Sequence, residues 1–142
     1  MEICNSILSY YDFSEEVDTI SLSYEERFMR RKKLVSDKGH EFLVDLEEMR
    51  SVVSNQAFKL ESGKLITIKS KKENLIEIKS KDLNKLIWHI GNRHIPCQIE
   101  ATRILIQSDH IIEDMVRRLG GQTKSVIEQF NPEGGAYGMG CL

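Results

Sequence analysis

The stretch WHIGNRHIPC, Trp88 to Cys97, holds two of the four histidines of this 142-residue chain and one of its three cysteines. A neutral imidazole is a common ligand for nickel, copper, zinc and iron. His94 follows Gly91 by three residues and precedes Pro96, so it falls just past the expected end of a helix and off its apolar stripe. A ligand fits that place, and so does a loop histidine hydrogen-bonded to a neighbour. His110 lies sixteen residues on, in SDHIIEDMVRRLG. One or two ligands do not close a site, since structural zinc takes four. A two-fold dimer changes the arithmetic, because each histidine then occurs twice. His89 reads as a polar flank or capping residue, and His40 as an exposed strand residue. Cys97 reads as a small buried hydrophobe. Cys141, near the end of a glycine-rich tail, is either an inert thiol or a soft ligand able to swing onto a metal.

Other chemistry finds little support. The chain has no GxSxG, HExxH or P-loop pattern. A Cys97–His94 nucleophile pair lacks an evident orienting acid or oxyanion hole, so no catalytic residue is assigned. The basic run Arg27 to Lys33 is flanked by Glu25, Glu26 and Asp37 and reads as a solvated strand face. With a net charge of −2, nucleic acid is not an expected partner. No apolar run reaches the ~18 residues of a membrane span, and the acidic start MEICNSILSYYDF is unlike a signal peptide. Three widely spaced cysteines without a CxxC argue for a reducing cytoplasm.

The elements that would position these residues fall into two halves. Up to about residue 70 the pattern alternates with period two. DTISLSYEE, the pair of runs around Asp37-Lys38-Gly39, and the pair around Glu61-Ser62-Gly63 read as strands and hairpins. Residues 1–70 are therefore expected to form an all-β domain. KSKKEN, residues 69 to 74, reads as a linker. The second domain, 74–142, mixes both periods. NLIEIKS is a strand. Ser80 or Asp82 caps a helix with Leu83, Leu86, Ile87 and Ile90 on one face, and Gly91 ends it in a left-handed cap. QIEATRILIQ is a hairpin or one bent strand. Ser108 or Asp109 caps a second helix carrying Ile112, Met115, Val116 and Leu119, which stops at Gly120-Gly121. TKSVIEQF is the last strand. The order β-α-β-β-α-β is the ferredoxin-like arrangement, followed by a flexible tail from about residue 131.

Three segments together, WHIGNRHIPCQIE, SDHIIEDMVRRLG and FNPEGGAYG, resemble the C-terminal domain of the urease accessory protein E family, the nickel metallochaperones of urease. RRKKLVSDKGHEFLVDL and LESGKLITIKS resemble that family's N-terminal domain. The resemblance implies a sandwich-like first domain, similar to a peptide-binding module of Hsp-forty chaperones, and a ferredoxin-like second domain that dimerises head to head. It implies that His94 meets its symmetric copy in a shared nickel site. It also implies that the ion passes to a GTP-hydrolysing urease accessory protein and the urease apoenzyme, and that the protein is no enzyme. Zinc and copper compete for such ligands in vitro. Asp109-His110 matches the family, but position 108 is serine where some members have a second histidine, so His110 is a lesser candidate. The tail has no histidine, and Cys141 stands as a substitute ligand. The rival reading is a non-metal protein-interaction module whose β half holds client peptides.

Overall fold

A computed structural model of the chain describes residues 1–12 and 15–134, and the chain divides into two compact units, Met1–Lys71 and Lys72–Leu142. The Cys141 assignment and most of the expected tail lie outside the described residues. No helix among the described residues is long and apolar enough to cross a membrane.

The first unit contains β1 (Glu2–Leu8), β2 (Glu16–Leu22), β3 (Phe28–Val35), β4 (Glu41–Ser51), β5 (Ala57–Leu60) and β6 (Leu65–Ser70). The alternation in β4 is the expected one: Phe42, Val44 and Leu46 point into the core while Glu41 and Glu47 stay in water. Gly39 and Gly63 take φ of 90° in the two hairpin turns. The strands form one hydrogen-bonded sheet in the order β2-β6-β5-β1-β4-β3. This differs from the two separately bonded sheets of a sandwich. Two pairings are parallel, β1 with β4 and β2 with β6, and both join strands far apart in sequence. The sheet curls until the turn that follows β3 meets β2. Asp37 N–H donates to the Thr19 carbonyl at 2.8 Å, and the Ser36 hydroxyl donates to the Asp18 carboxylate. The closed side holds Phe42 and Phe58 with ring centres 5.5 Å apart, among Ile20, Leu22, Ile66 and Ile68.

The second unit contains β7 (Lys72–Lys79), α1 (Leu83–Asn92), β8 (Cys97–Ile99), β9 (Ile104–Gln107), α2 (His110–Arg118) and β10 (Gln122–Gln129). Its sheet order is β10-β7-β9-β8, antiparallel throughout. This is the β-α-β-β-α-β succession of a ferredoxin-like unit. Residues 69 to 74 are no extended spacer: Lys69 and Ser70 finish β6 and Lys72 opens β7, because β10 supplies that strand's partners down to Lys72. QIEATRILIQ is the hairpin β8–β9. Ile76, Ile78, Ile104 and Ile106 face the helices and pack with Leu86, Ile90 and Val116. Burying such a side chain contributes about 1.5–3 kcal/mol, so both helical stripes are fixed by this layer.

The tail is tied down at its start. Phe130 is fully buried, Asn131 N–H donates to Gln98 Oε1 at 2.8 Å, and Glu133 N–H donates to the Cys97 carbonyl at 2.9 Å.

Candidate metal site

Helix α1 starts on Asp82, whose carboxylate accepts from Lys85 N–H at 3.2 Å, as an N-cap should. Its end differs from expectation. Gly91 lies inside the helix, and the left-handed residue is His94, with φ of 57°. His94 N–H donates to the Gly91 carbonyl at 3.0 Å and Ile95 N–H to the Ile90 carbonyl at 3.4 Å. These are the two bonds of a Schellman motif with histidine at the position usually held by glycine. Ile95 packs against the cluster that holds Ile90, the usual hydrophobic companion of the motif. The stop is set by Pro96, which drives residue 95 out of the helical region, rather than by Gly91.

Helix α2 ends in the same motif. Gly120 N–H donates to the Arg117 carbonyl and Gly121 N–H to that of Val116, and here Gly120, with φ of 89°, takes the left-handed place. A side chain in that conformation costs about 1–2 kcal/mol. The second helix avoids the strain and the first carries it, at an exposed imidazole.

His110 is the first residue of α2, exposed, next to Asp109, whose carboxylate caps the helix through Ile111 N–H at 3.0 Å. Arg93 and His110 line one hollow of about 440 Å³ with Ile111, Ile112, Met115, Asp114 and Arg118. His94 is not among the lining residues, so the hollow joins His110 to Arg93 and not to His94. Among the described residues no group of three or more His, Cys, Asp or Glu could hold a metal ion.

The other sequence candidates fall away from this place. His89 is partly buried, its ring edge-on to Trp88 at 5.0 Å, and its carbonyl accepts from Arg93 Nη1 at 3.0 Å. Cys97 packs partly buried against the helix-side core and is not in a disulfide. His40 is half exposed, 3.9 Å from the Asp18 carboxylate. In the basic run, Arg27 is buried and donates to the Ser70 hydroxyl, while Arg30, Arg31 and Lys33 are exposed on edge strand β3. Positive charge there discourages pairing with another sheet.

Two exposed apolar residues escaped the sequence reading. Trp88 is 64% exposed on α1 and Ile111 68% exposed on α2. Both lie off the apolar stripes of their helices, and that departure was the available signal.

A ferredoxin-like unit that presents an exposed histidine in a left-handed backbone fits more than one class of protein. Comparison with known proteins narrows this. Residues 73–141 match the family described as UreE urease accessory protein, C-terminal domain. The urease accessory protein UreE of Ruegeria pomeroyi is 48% identical over 137 residues, covering 96% of this chain and 92% of that protein. That of Rhodobacter capsulatus is 46% identical over 140 residues, covering 99% and 89%. The chain belongs to the UreE family of urease accessory proteins.

Proposed function

We propose that the protein is a homodimeric nickel carrier for urease maturation, with His94 and its symmetric copy as the principal ligands. The supporting observation is the conformation of His94. An exposed side chain is kept where glycine would be less strained, and such strain clusters at functional positions. One chain offers too few ligands among its described residues. A two-fold axis near residue 94 doubles the imidazoles, and the exposed Trp88 and Ile111 give a second copy apolar surface to cover. An imidazole pair completed by water or tail ligands exchanges its ion readily, as a donor must. His110 and the Cys141 thiol serve as secondary ligands in this reading. The ion then goes to a GTP-hydrolysing partner and the urease apoenzyme in the cytoplasm. The protein acts as a chaperone and catalyses no reaction itself.

Calorimetric titration with nickel tests this. The parent should bind about one ion per dimer at its tightest site, and His94→Ala should lose that site while keeping its fold. Equal affinity in parent and variant overturns the assignment. An absence of stoichiometric uptake below roughly 100 μM, a weak-binding level, would favour a protein-interaction module instead.

A further inference from the structure

The two sheets end in four edge strands, β2 and β3 in the first and β10 and β8 in the second. Three of these edges are guarded. On β3, Arg30, Arg31 and Lys33 are exposed, and the pairing slips between Met29 and Arg31. On β2 the pairing slips between Glu16 and Asp18, and the Thr19 carbonyl accepts from Asp37 N–H at 2.8 Å. β8 is three residues long, and its Cys97 carbonyl accepts from Glu133 N–H at 2.9 Å. Charge, bulges, brevity and covering loops are the usual means of keeping an edge from pairing with a further strand. β10 differs. It runs eight residues and pairs with β7 at every position without a slip, and among the described residues β7 is its only strand neighbour. Its one cation is Lys124, and Ile127 is 68% exposed.

We propose that a second copy of this chain pairs with this edge, β10 antiparallel to β10, about a two-fold axis at Val126, so that two four-stranded sheets join into one of eight strands. The strand's own charges select the occupant and the register. A two-fold axis perpendicular to the sheet keeps every side chain on its own face, so the axis passes through a residue and its copy. Centred on Lys124 or on Glu128, the pairing sets like charges face to face. Centred on Ser125 or Ile127, it leaves both charges unmatched. Centred on Val126, it sets Lys124 against Glu128 of the second copy, twice, with Val126 against its own copy between them. Opposite charges and β-branched pairs are favourable cross-strand neighbours. The acid is already positioned. Arg103 holds both Glu128 oxygens, at 2.7 and 2.8 Å, and also meets Glu77 at 2.9 Å and Glu100 at 3.0 Å. With Lys79 3.8 Å from Glu77, three carboxylates face two cations, and Lys124 of the second copy is the third. Lys124 is exposed and has no ion pair among the described residues. On the helix side, Ile127 of the second copy stands opposite Ser125, which with Asn74, Ser108 and Ile127 lines a hollow of about 560 Å³. β10 and β8 are opposite edges of the sheet. The contact is therefore separate from a two-fold axis near His94 and needs no metal, and a chain that uses both contacts links dimers into larger assemblies.

Two measurements on full-length, metal-free protein test this. A contact between strand edges is small, and contacts below about 1,200 Å² are transient, so pairing is expected at roughly 100 μM. Sedimentation in the presence of a chelator should show an association step near that concentration, on top of any that the helices support at lower concentration. Lys124→Glu sets two acids face to face on each side of the axis. It should raise the concentration required by at least about tenfold and leave nickel binding at micromolar protein unchanged. The register is read by cross-linking in a Cys97→Ala, Cys141→Ser background, where the remaining Cys4 is buried. Val126→Cys should oxidise to a linked dimer, because opposite Cα atoms lie about 4.5–5.5 Å apart. Ser125→Cys is more exposed, but its copy is displaced by about 7 Å along the strand, and it should link at least about tenfold more slowly. Equal rates at the two positions overturn the register, and an unmoved association step in Lys124→Glu overturns the charge pairing that selects it. A parent that shows no further association up to about 500 μM overturns the second copy as occupant and leaves the edge to a strand of another protein.

Discussion

At the scale of single residues, His94 and Gly120 form an internal comparison: the same backbone motif, once with an imidazole and once without a side chain. His94→Gly should therefore raise stability by about 1 kcal/mol while removing the tightest nickel binding. Gly120→Ala should lower stability by a similar amount and leave nickel binding alone. Denaturant midpoints and calorimetry on the two variants check this. A destabilised His94→Gly would mean that the imidazole supports the fold. Asp18 offers a second residue-scale prediction. Burial pushes its carboxyl up, but hydrogen bonds from the Ser36 hydroxyl and the Thr19 and Lys38 N–H groups outweigh that and hold it below the ordinary value of 3.8. A lowered folded-state pKa stabilises at pH above the ordinary value, and the benefit is lost as pH falls through the lowered one. The first unit should loosen in acid below about pH 3.8. Asp18→Asn should cost about 1–3 kcal/mol near neutrality and flatten that acid dependence. Amide exchange in the Ser36–His40 turn reports both.

At the scale of elements, Gly121 controls how α2 returns to the sheet. A Cβ there would sit 2.5 Å from Val116 Cγ1 and 3.0 Å from Leu86 Cδ1, so Gly121→Ala should destabilise the second unit by about 1–3 kcal/mol, read from thermal unfolding followed by Trp88 fluorescence. The element pattern shows what a sequence can disclose. Both helices were legible because Leu86, Ile90 and Val116 recur at helical spacing over Asp caps. The hairpins of the first unit were legible from Gly39 and Gly63. Strand β1 was not read, because Ile3, Cys4 and Ile7 carry no strict alternation and its partners β4 and β5 lie far along the chain. The single curled sheet was also hidden, since it depends on parallel pairings and on Asp18 meeting Ser36 across the closure. His94 could be found by residue type and family likeness. Its left-handed backbone could not, because Gly91 offered an easier stop, and the bonds from His94 to Gly91 and from Ile95 to Ile90 that close the helix beyond it are visible only in the fold.

At the scale of the molecule, the carrier reading couples metal affinity to assembly. If each ion is shared by two copies of His94, a change that separates the copies must weaken nickel binding without touching a ligand. Ile111 suits this test, being 68% exposed on the outer side of α2 and absent from the core that holds the second unit together. Ile111→Glu leaves His94, the Asp109 cap and the helical stripe in place, so the fold should survive. A charge buried in a self-complementary interface appears twice across the axis, and desolvating two like carboxylates costs several kcal/mol. The variant should sediment as a monomer at micromolar concentration, and its nickel affinity should fall by at least about tenfold, a loss of roughly 1.4 kcal/mol. Raising protein concentration should restore both properties together, since ion and second copy are linked by mass action. A monomeric variant with parental nickel affinity would show that one chain holds the ion alone. A dimeric variant with weakened affinity would move the axis away from Ile111 and leave the shared site to be sought on another face of the helix layer.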